Sequence, residues 1–290
     1  TVVVFGSLLN ASNNDSLKEQ LIPRIINGQY KGSFAYAEEQ SRFEISDVKT
    51  SAQKCGDGYK LNGTKIAVID AKESDGLIVT ARTEGSQYGR EGISLFLVDT
   101  SAEGVAVSSY NTMDSHSSST INLENVFVTE ANLIVDEGEG FRHIESCLPQ
   151  ILLCLSAEAL GIMEVLNKLT VEYSKTRKQF GAPIGSFQAL QHVDNFMAFE
   201  QSKSMVYRGI CESTSFNKND IDINQFLKTA HAVKALIAKN SKQIGDESIQ
   251  IHGGIGMTDE LNIGHFVKRL MMINVLFGDG DFHRQCFSQN

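Results

Sequence analysis

The sequence predicts an α+β chain in two parts, a middle β-barrel or sandwich domain followed by a C-terminal four-helix bundle. Two observations carry that expectation. From Gly32 to about Asn132 the chain is rich in β-branched residues, apolar–polar alternation and turn dipeptides, the pattern of several short strands. Beyond Gly140 the period changes, and Ile144, Cys147, Leu148, Ile151, Leu152 and Leu155 recur at the spacing of one helix face.

The elements follow in order. Residues 1–30 read as a helix end and connector, the remnant of a helical domain preceding the strands. The β-domain is placed at 31–138. Within it Asn62-Gly63 stands between Tyr59-Lys-Leu61 and Thr64-Lys65, a strong hairpin signal, because both residues accept the positive φ of a tight primed turn. Further strands are expected at 76–82, 93–98, 104–109 and 120–128. The helical-bundle domain is placed at 139–290, with a first helix from Gly140 and others near 185–215, 223–250 and 260–277. Long helices joined by short connections pack as an antiparallel bundle.

Composition removes several classes of function. Of 290 residues 41% are hydrophobic and 21% charged, which is globular and excludes a disordered or fibrous chain. A net charge of −9 and the lack of a basic stripe disfavour nucleic acid and anionic membranes as partners. The most apolar stretch, Ile151 to Leu166, is broken by Glu158 and Glu164 and is too short for a bilayer. Five cysteines (Cys55, Cys147, Cys154, Cys211, Cys286) show no CxxC or metal-ligand spacing. Reduced thiols, no metal and a cytoplasmic location are expected.

Two segments carry candidate chemistry. Thr176-Arg-Lys-Gln-Phe-Gly-Ala-Pro-Ile-Gly-Ser-Phe-Gln188 lies between two predicted helices. Alone, it reads equally as a basic helix end followed by a Gly-Ala-Pro turn. Gln250-Ile-His-Gly-Gly-Ile-Gly-Met-Thr-Asp-Glu260 places three glycines in four positions, so that backbone N–H groups can approach a phosphate. It is not the dinucleotide fingerprint, since a helical segment precedes it where that motif needs a strand. His252 within it reads as a hydrogen-bonding loop residue in preference to a metal ligand.

Together the two segments resemble the acyl-CoA dehydrogenase family, whose C-terminal domain carries Arg-x-x-Phe-Gly…Phe-Gln and then Gln-x-x-Gly-Gly-x-Gly. Leu61-Asn-Gly-Thr-Lys65, Ile93-Ser-Leu-Phe-Leu-Val98, Val126-Phe-Val128 and Gly138-Glu-Gly140 are similar to the family's β-domain and its exit. Gly254-Ile-Gly-Met-Thr-Asp-Glu260, Lys268-Arg269 and Leu276-Phe-Gly-Asp-Gly-Asp-Phe-His-Arg284 resemble a heteromeric branch that acts on steroid side chains and other bulky acyl groups. The family's N-terminal helical domain is expected to be missing. The resemblance implies FAD as cofactor, an acyl-CoA thioester as substrate and an electron-transfer flavoprotein as electron acceptor. It also implies a dimer or tetramer, homomeric or heteromeric, that shares each flavin across an interface. Arg177 and Gln188 would then reach the FAD of a neighbouring subunit, Phe180 would pack near the adenine, and Gln250, Gly253 and Gly254 would line the diphosphate path. A planar Arg fork suits paired phosphate oxygens.

Departures from the pattern matter equally. The family's Thr-Glu-Pro-Gly-x-Gly-Ser-Asp strand corresponds without gaps to Ala37-Glu-Glu-Gln-Ser-Arg-Phe-Glu44. Its Lys-x-Trp-Ile-Thr-Asn corresponds to Lys65-Ile-Ala-Val-Ile-Asp70, so the flavin-covering Trp is Ala67 and the Thr is Ile69. In relatives the base that removes the α-proton is a Glu, at the position of Phe277 or of Ile151 here. Neither side chain can take a proton. Glu158, seven residues after Ile151 on the same helix face, is the remaining catalytic candidate. Burial among Leu155, Ala159, Leu160 and Ile162 would raise its pKa, whereas a solvated or paired position at the margin would not. Asp279 and Asp281 are nearby candidates of shorter reach that read equally well as a polar turn with Gly280, and Glu145, nearer the helix start, reads as a surface residue. The expected function is an FAD-binding acyl-CoA dehydrogenase-like subunit that passes the β-hydride of an acyl thioester to flavin. The alternatives are a non-catalytic subunit of a hetero-oligomeric enzyme, and a flavin-free interaction or nucleic-acid-binding homologue.

Overall fold

The computed structural model describes residues 2–191 and 195–289. The chain divides into two compact units, Thr1–Ile151 and Leu152–Asn290, and the boundary falls inside its longest helix, α3 (Gly140–Thr176). By length and composition α3 could cross a membrane, yet half of its most apolar window is buried inside the fold.

The first unit opens on helices α1 (Val2–Asn10) and α2 (Asp15–Ile26). Asn14 starts α2. Its Oδ1 accepts the Leu17 N–H at 3.1 Å, while its Nδ2 donates to the carbonyls of Ala131 and Leu133. One side chain thus caps the helix and ties it to the far end of the β-region. Seven strands follow, β1 (Gly32–Ala35), β2 (Ser51–Cys55), β3 (Gly58–Ile69), β4 (Gly76–Arg82), β5 (Ile93–Asp99), β6 (Val105–Asn111) and β7 (Ser117–Thr129). They make one sheet in the order β1-β4-β2-β3-β7-β6, with β5 on β4. The sheet is a curled half-barrel over a core that includes Leu61, Leu77, Val79, Phe96, Val98 and Ile121. On β7 the inward residues Ile121, Leu123, Val126 and Val128 are separated by the outward Asn122, Glu124 and Phe127, apart from one irregular step near Asn125.

The chain does not reverse at Asn62-Gly63. Cys55 pairs with Gly58, so the hairpin turn is Gly56-Asp57, where Gly56 takes φ +63°. Asn62 and Gly63 lie inside β3 at an irregularity in its register with β7. There the Asn62 Oδ1 accepts the Asn125 N–H at 2.8 Å, and a Cβ on Gly63 would fall 2.4 Å from the Thr50 Oγ1. The glycine serves a close approach inside the sheet, and the strand carries straight on through it.

A buried ion pair fixes the long segment between β1 and β2. Lys65, fully buried, places its Nζ 2.7 Å from the Glu38 Oε1, and it also donates to the Thr80 Oγ1 at 2.7 Å and the Tyr36 carbonyl at 3.4 Å. The Glu38 carboxylate accepts the Lys49 and Thr50 N–H groups at 2.8 and 3.0 Å and the Gln40 side-chain amide at 3.0 Å. Residues 37–44 form no strand of their own, and these bonds hold them instead. Burial alone would raise the Glu38 pKa. The Lys65 charge and the hydrogen bonds from Gln40, Lys65 and Thr50 overcome burial and hold the carboxyl at about 2. Arg82 does similar work nearby, its guanidinium donating to the carbonyls of Ser46, Val48, Gln87, Gly89 and Glu91.

The second unit contains the distal part of α3, a short hairpin of β8 (Lys178–Gln179) and β9 (Ala182–Pro183), and the single turn α4 (Gln188–Gln191). Helices α5 (Asn195–Asn217), α6 (Ile223–His252), α7 (Ile263–Val275) and α8 (Gly280–Gln289) follow. Leu153, Met163, Phe199, Val233, Ile237 and Ile273 are central to its core. Asp222 caps α6, accepting the Gln225 N–H at 2.8 Å. The helix expected over 185–215 begins at Asn195, and its residues 192–194 lie outside the described ones. The expected polar turn at 279–281 is instead the start of α8. Asp279 caps it by accepting the Phe282 N–H at 2.8 Å, a role that a short carboxylate before a helix takes readily.

Replacing Lys65 with Met should strand a buried carboxylate and cost the first unit about 3–5 kcal/mol. Chemical denaturation of the variant beside the wild type measures that loss.

Candidate functional site

The Arg177 segment projects from the end of α3. The Arg177 N–H donates to the Tyr173 carbonyl at 2.8 Å, closing the last helical turn, and the Arg177 carbonyl accepts the Ile184 N–H at 2.8 Å. Between them the hairpin pairs Lys178 with Pro183 and Gln179 with Ala182. Phe180 and Gly181 form its tip at φ +54° and +83°. The Phe180 ring is 95% exposed and meets only the edge of Phe187, centroid to centroid 6.3 Å, among the described ring contacts. Arg177 and Gln188 are exposed too.

The glycine segment begins where α6 ends. Gly253, at φ +64°, donates its N–H to the Ile249 and Gln250 carbonyls, and the chain then makes a 3₁₀ turn over Gly253–Met257. Gly254 is the informative residue. Its φ is not left-handed, and a Cβ there would meet nothing within 4 Å. Neither conformation nor packing inside the chain calls for glycine at this exposed position. An open backbone is what a diphosphate needs for close approach. Gly256 differs, since a Cβ there would lie 3.0 Å from that of His252. His252 is buried, donates Nδ1–H to the Ser248 carbonyl at 2.8 Å, and stacks on Tyr173. The structure therefore joins the two candidate segments at Tyr173 and His252. Sequence spacing gave no sign of that joint.

The carboxylates considered for proton abstraction are all engaged elsewhere. Ile151 is buried and Phe277 half-buried, both apolar as the sequence implies. Glu158 does not sit in a dry pocket. Its side chain is 42% exposed and grips Arg269 through two bonds of 2.6 and 3.0 Å. Asp279 caps α8, Asp281 pairs with Arg284, and Glu145 lies 3.7 Å from Arg90.

The turn bearing Phe277 is rigidly built nonetheless. Lys234, fully buried in the middle of α6, donates to the carbonyls of Ile273, Asn274 and Gly278 at 2.8, 3.4 and 3.2 Å. One ammonium closes the last turn of α7 and the turn beyond it, where the helix dipole also favours a cation. Burial lowers its pKa to about 8, with Asp279 opposing the shift. Phe277 takes φ +59°, and Gly278 takes φ +124°, where a Cβ would lie 2.4 Å from the Phe282 ring. Beneath the turn His231 and His283 meet Nδ1 to Nδ1 at 2.8 Å. The sequence signal for Lys234 was available: a lone charge among Ala230, Val233, Ile237 and Ala238 on the apolar face of α6.

In the first unit, the Ile66 N–H donates to the Ala37 carbonyl at 2.8 Å, and Ala67 sits at φ +52° within a break in the β3–β7 register. The two stretches that depart from the family pattern are thus neighbours. Neither brings an indole, and the one hydroxyl, on buried Ser41, is tied to the Glu38 backbone, so the fit to a flavin rests on Arg177, Gln188 and the Gly253–Gly254 turn.

Comparison with known proteins agrees with this fold. The family profile for the acyl-CoA dehydrogenase C-terminal domain matches residues 138–290, and that for the middle domain matches residues 33–126. This chain belongs to the acyl-CoA dehydrogenase family. It is 30% identical over 281 residues to the 3-(aryl)acrylate reductase of Clostridium sporogenes, covering 95% of this chain and 72% of that protein. The butyryl-CoA dehydrogenase of Megasphaera elsdenii superposes with a TM-score of 0.91 at 25% identity, over 100% of this chain and 75% of that one. The FAD complex of PigA gives 0.89 at 26% identity, over 97% of this chain and 73% of that one. Members of the family bind FAD. The chain spans 64% to 72% of the length of the first curated relatives that it matches.

The buried histidine pair gives the helical unit a pH dependence. Burial lowers His231 to about 4, and burial, then repulsion from Lys234 and His231, lowers His283 to about 2, both below the ordinary 6.5. As pH falls below that ordinary value the unfolded chain binds protons that the folded one refuses. Stability is therefore complete above pH 6.5 and is lost as pH falls from 6.5 towards 4. Each ring should withdraw at most about 1.4 kcal/mol per pH unit. Thermal melts across this range should show that loss, and His283→Gln should make it shallower.

Proposed function

We propose that this chain is an FAD-binding subunit of the acyl-CoA dehydrogenase type, acting on an acyl-CoA thioester within a dimer or tetramer. The observation that carries this reading is Gly254, a glycine that the chain itself does not need, joined through one ring stack to the outward Arg177 hairpin. FAD, when bound, would supply the acceptor for the hydride leaving the thioester's β-carbon. The residues present do the holding. Arg177 offers a charged, forked donor for phosphate oxygens, Gln188 a neutral amide, and Gly253 and Gly254 a backbone free of Cβ atoms, with Gln250 alongside. Phe180 offers a bare ring for the adenine. Phe180, Phe196 and Met257 leave at least 72% of their surface exposed, which supports a partner subunit over this unit. An electron-transfer flavoprotein would take the electrons onward. Residues 254–260 and 276–284 support a bulky acyl group such as a steroid side chain, and an odd count of five cysteines with no CxxC or metal-ligand spacing supports the cytoplasm.

A second reading within the same fold has its own observation. Phe277 and Ile151 occupy both base positions, and Glu145, Glu158, Asp279 and Asp281 are committed to other partners. We propose that the chain binds FAD but lacks its own base, as a non-catalytic subunit whose partner supplies one.

Arg177→Ala should weaken FAD retention by roughly ten- to hundredfold without unfolding the chain, the effect of losing charged hydrogen bonds worth about 1.5–3 kcal/mol. Equilibrium flavin titration reads this directly, and a purified oligomer that takes up no FAD would end the cofactor assignment.

The unaltered chain should be nearly inactive on acyl-CoA thioesters, because a general base contributes about 10²–10⁴-fold. Phe277→Glu should raise dye-coupled dehydrogenation if only the carboxylate is lacking. Ordinary turnover by the unaltered homo-oligomer would show that a base is already present.

A further inference from the structure

Tyr173 and His252 stand 79 residues apart, yet a hydrogen bond and a ring stack between them join the two segments proposed to hold FAD. Tyr173 stands one helical turn before Arg177, and its carbonyl accepts the Arg177 N–H at 2.8 Å. Its ring lies on the His252 imidazole with centroids 4.3 Å apart and planes 28° from parallel, and its hydroxyl donates to the His252 carbonyl at 3.4 Å. His252 has little freedom. It is 5% exposed and bonded to the Ser248 carbonyl one turn back, and Gly256 folds so closely against it that a Cβ there would lie 3.0 Å from the His252 Cβ. The glycine turn is therefore wrapped around the same ring that α3 holds from the other side.

We infer that Tyr173 and His252 are positioning residues, which fix the separation between the Arg177 hairpin and the Gly253–Gly254 turn and so the grip on the diphosphate and adenylate end of FAD. The inference rests on the FAD reading above. Moving Tyr173 moves Arg177 through a single helical hydrogen bond. Moving His252 moves Gly253, the next residue in the chain. A stack of two flat rings sets both the distance and the tilt between them. FMN carries the same flavin ring with one phosphate and no adenylate, so FMN binding should not sense this joint.

The test is the ratio of FAD to FMN dissociation constants for the full chain, read by quenching of flavin fluorescence. Losing a stacked pair should make FAD binding by Tyr173→Leu about tenfold weaker while FMN stays within about twofold. Tyr173→Phe, which keeps the stack, should restore FAD binding to within about threefold of the wild type. The circular dichroism of bound FAD at saturation should change in the Leu variant and not in the Phe variant. If Tyr173→Leu weakens both flavins alike, or leaves FAD unchanged, the two residues are merely structural and the inference falls. Hydrogen exchange on the wild type decides the matter without any variant: FAD should protect residues 173–188 and 250–257 together, and protection of one alone overturns it. A wild type that binds FAD no better than FMN would fail differently, since it removes the cofactor reading itself.

Discussion

A lysine ammonium taken out of water has to be surrounded by oxygen, because the lost hydration costs several kcal/mol unless polar partners replace it. Each unit of this chain contains one such lysine, and each bends a loop to satisfy it. Lys65 draws residues 36–50 onto β3 through Glu38, Thr80 and the Tyr36 carbonyl. Lys234 draws the end of α7 and the turn after it onto α6 through three carbonyls. The two solutions differ in kind. Lys65 has a carboxylate to pair with. Lys234 is met by peptide dipoles, with Asp279 contributing only at longer range.

Both lysines stand beside a backbone conformation that side chains avoid. Ala67 lies two residues beyond Lys65 at φ +52°, and Phe277 lies next to the Gly278 carbonyl at φ +59°. A left-handed residue other than glycine costs on the order of 1–3 kcal/mol and persists only where its surroundings over-determine it. Here the carbonyls and N–H groups on either side are already tied to a buried charge or to a neighbouring strand. By resemblance, these are the positions where relatives carry the flavin-covering Trp and the catalytic Glu. The special backbone is present at both, with alanine and phenylalanine on it.

What the sequence revealed and what it hid divide along physical lines. The change of period near Gly140 and the apolar runs of β4 and β5 predicted the two-part α+β fold, because burial of one face is a local, repeating demand. Asn62-Gly63 misled because a positive-φ dipeptide also suits a glycine packed against Thr50 inside a strand, and the actual turn, Gly56-Asp57, was equally short. Helix α8 was hidden because Asp279, Gly280 and Asp281 suit a polar turn as well as a helix start. At the candidate site the residue types were legible through the resemblance, but their joint was not. Nothing local in Tyr173 or His252 announces a partner 79 residues away. Glu158 showed the same limit from the other side, since its tie to Arg269 depends on α7 crossing that part of α3.

An apolar residue at position 277 and a firmly built turn around it then need not conflict. A carboxylate acts through its side chain, and a single substitution removes it. The turn at 276–279 is held by Lys234 from α6, by the Asp279 cap of α8, and by the close packing of Gly278 on Phe282 and His283. None of those contacts uses the side chain at position 277. Loss of the Glu would therefore leave the fold, the turn and the helical docking unchanged, and no stability penalty would oppose it. The same independence extends to the segments proposed to hold the cofactor, which are set by Tyr173, His252 and the glycine turn at the C-terminal end of α6. A family member built this way can lose its proton chemistry while keeping a flavin grip, provided another polypeptide brings the carboxylate.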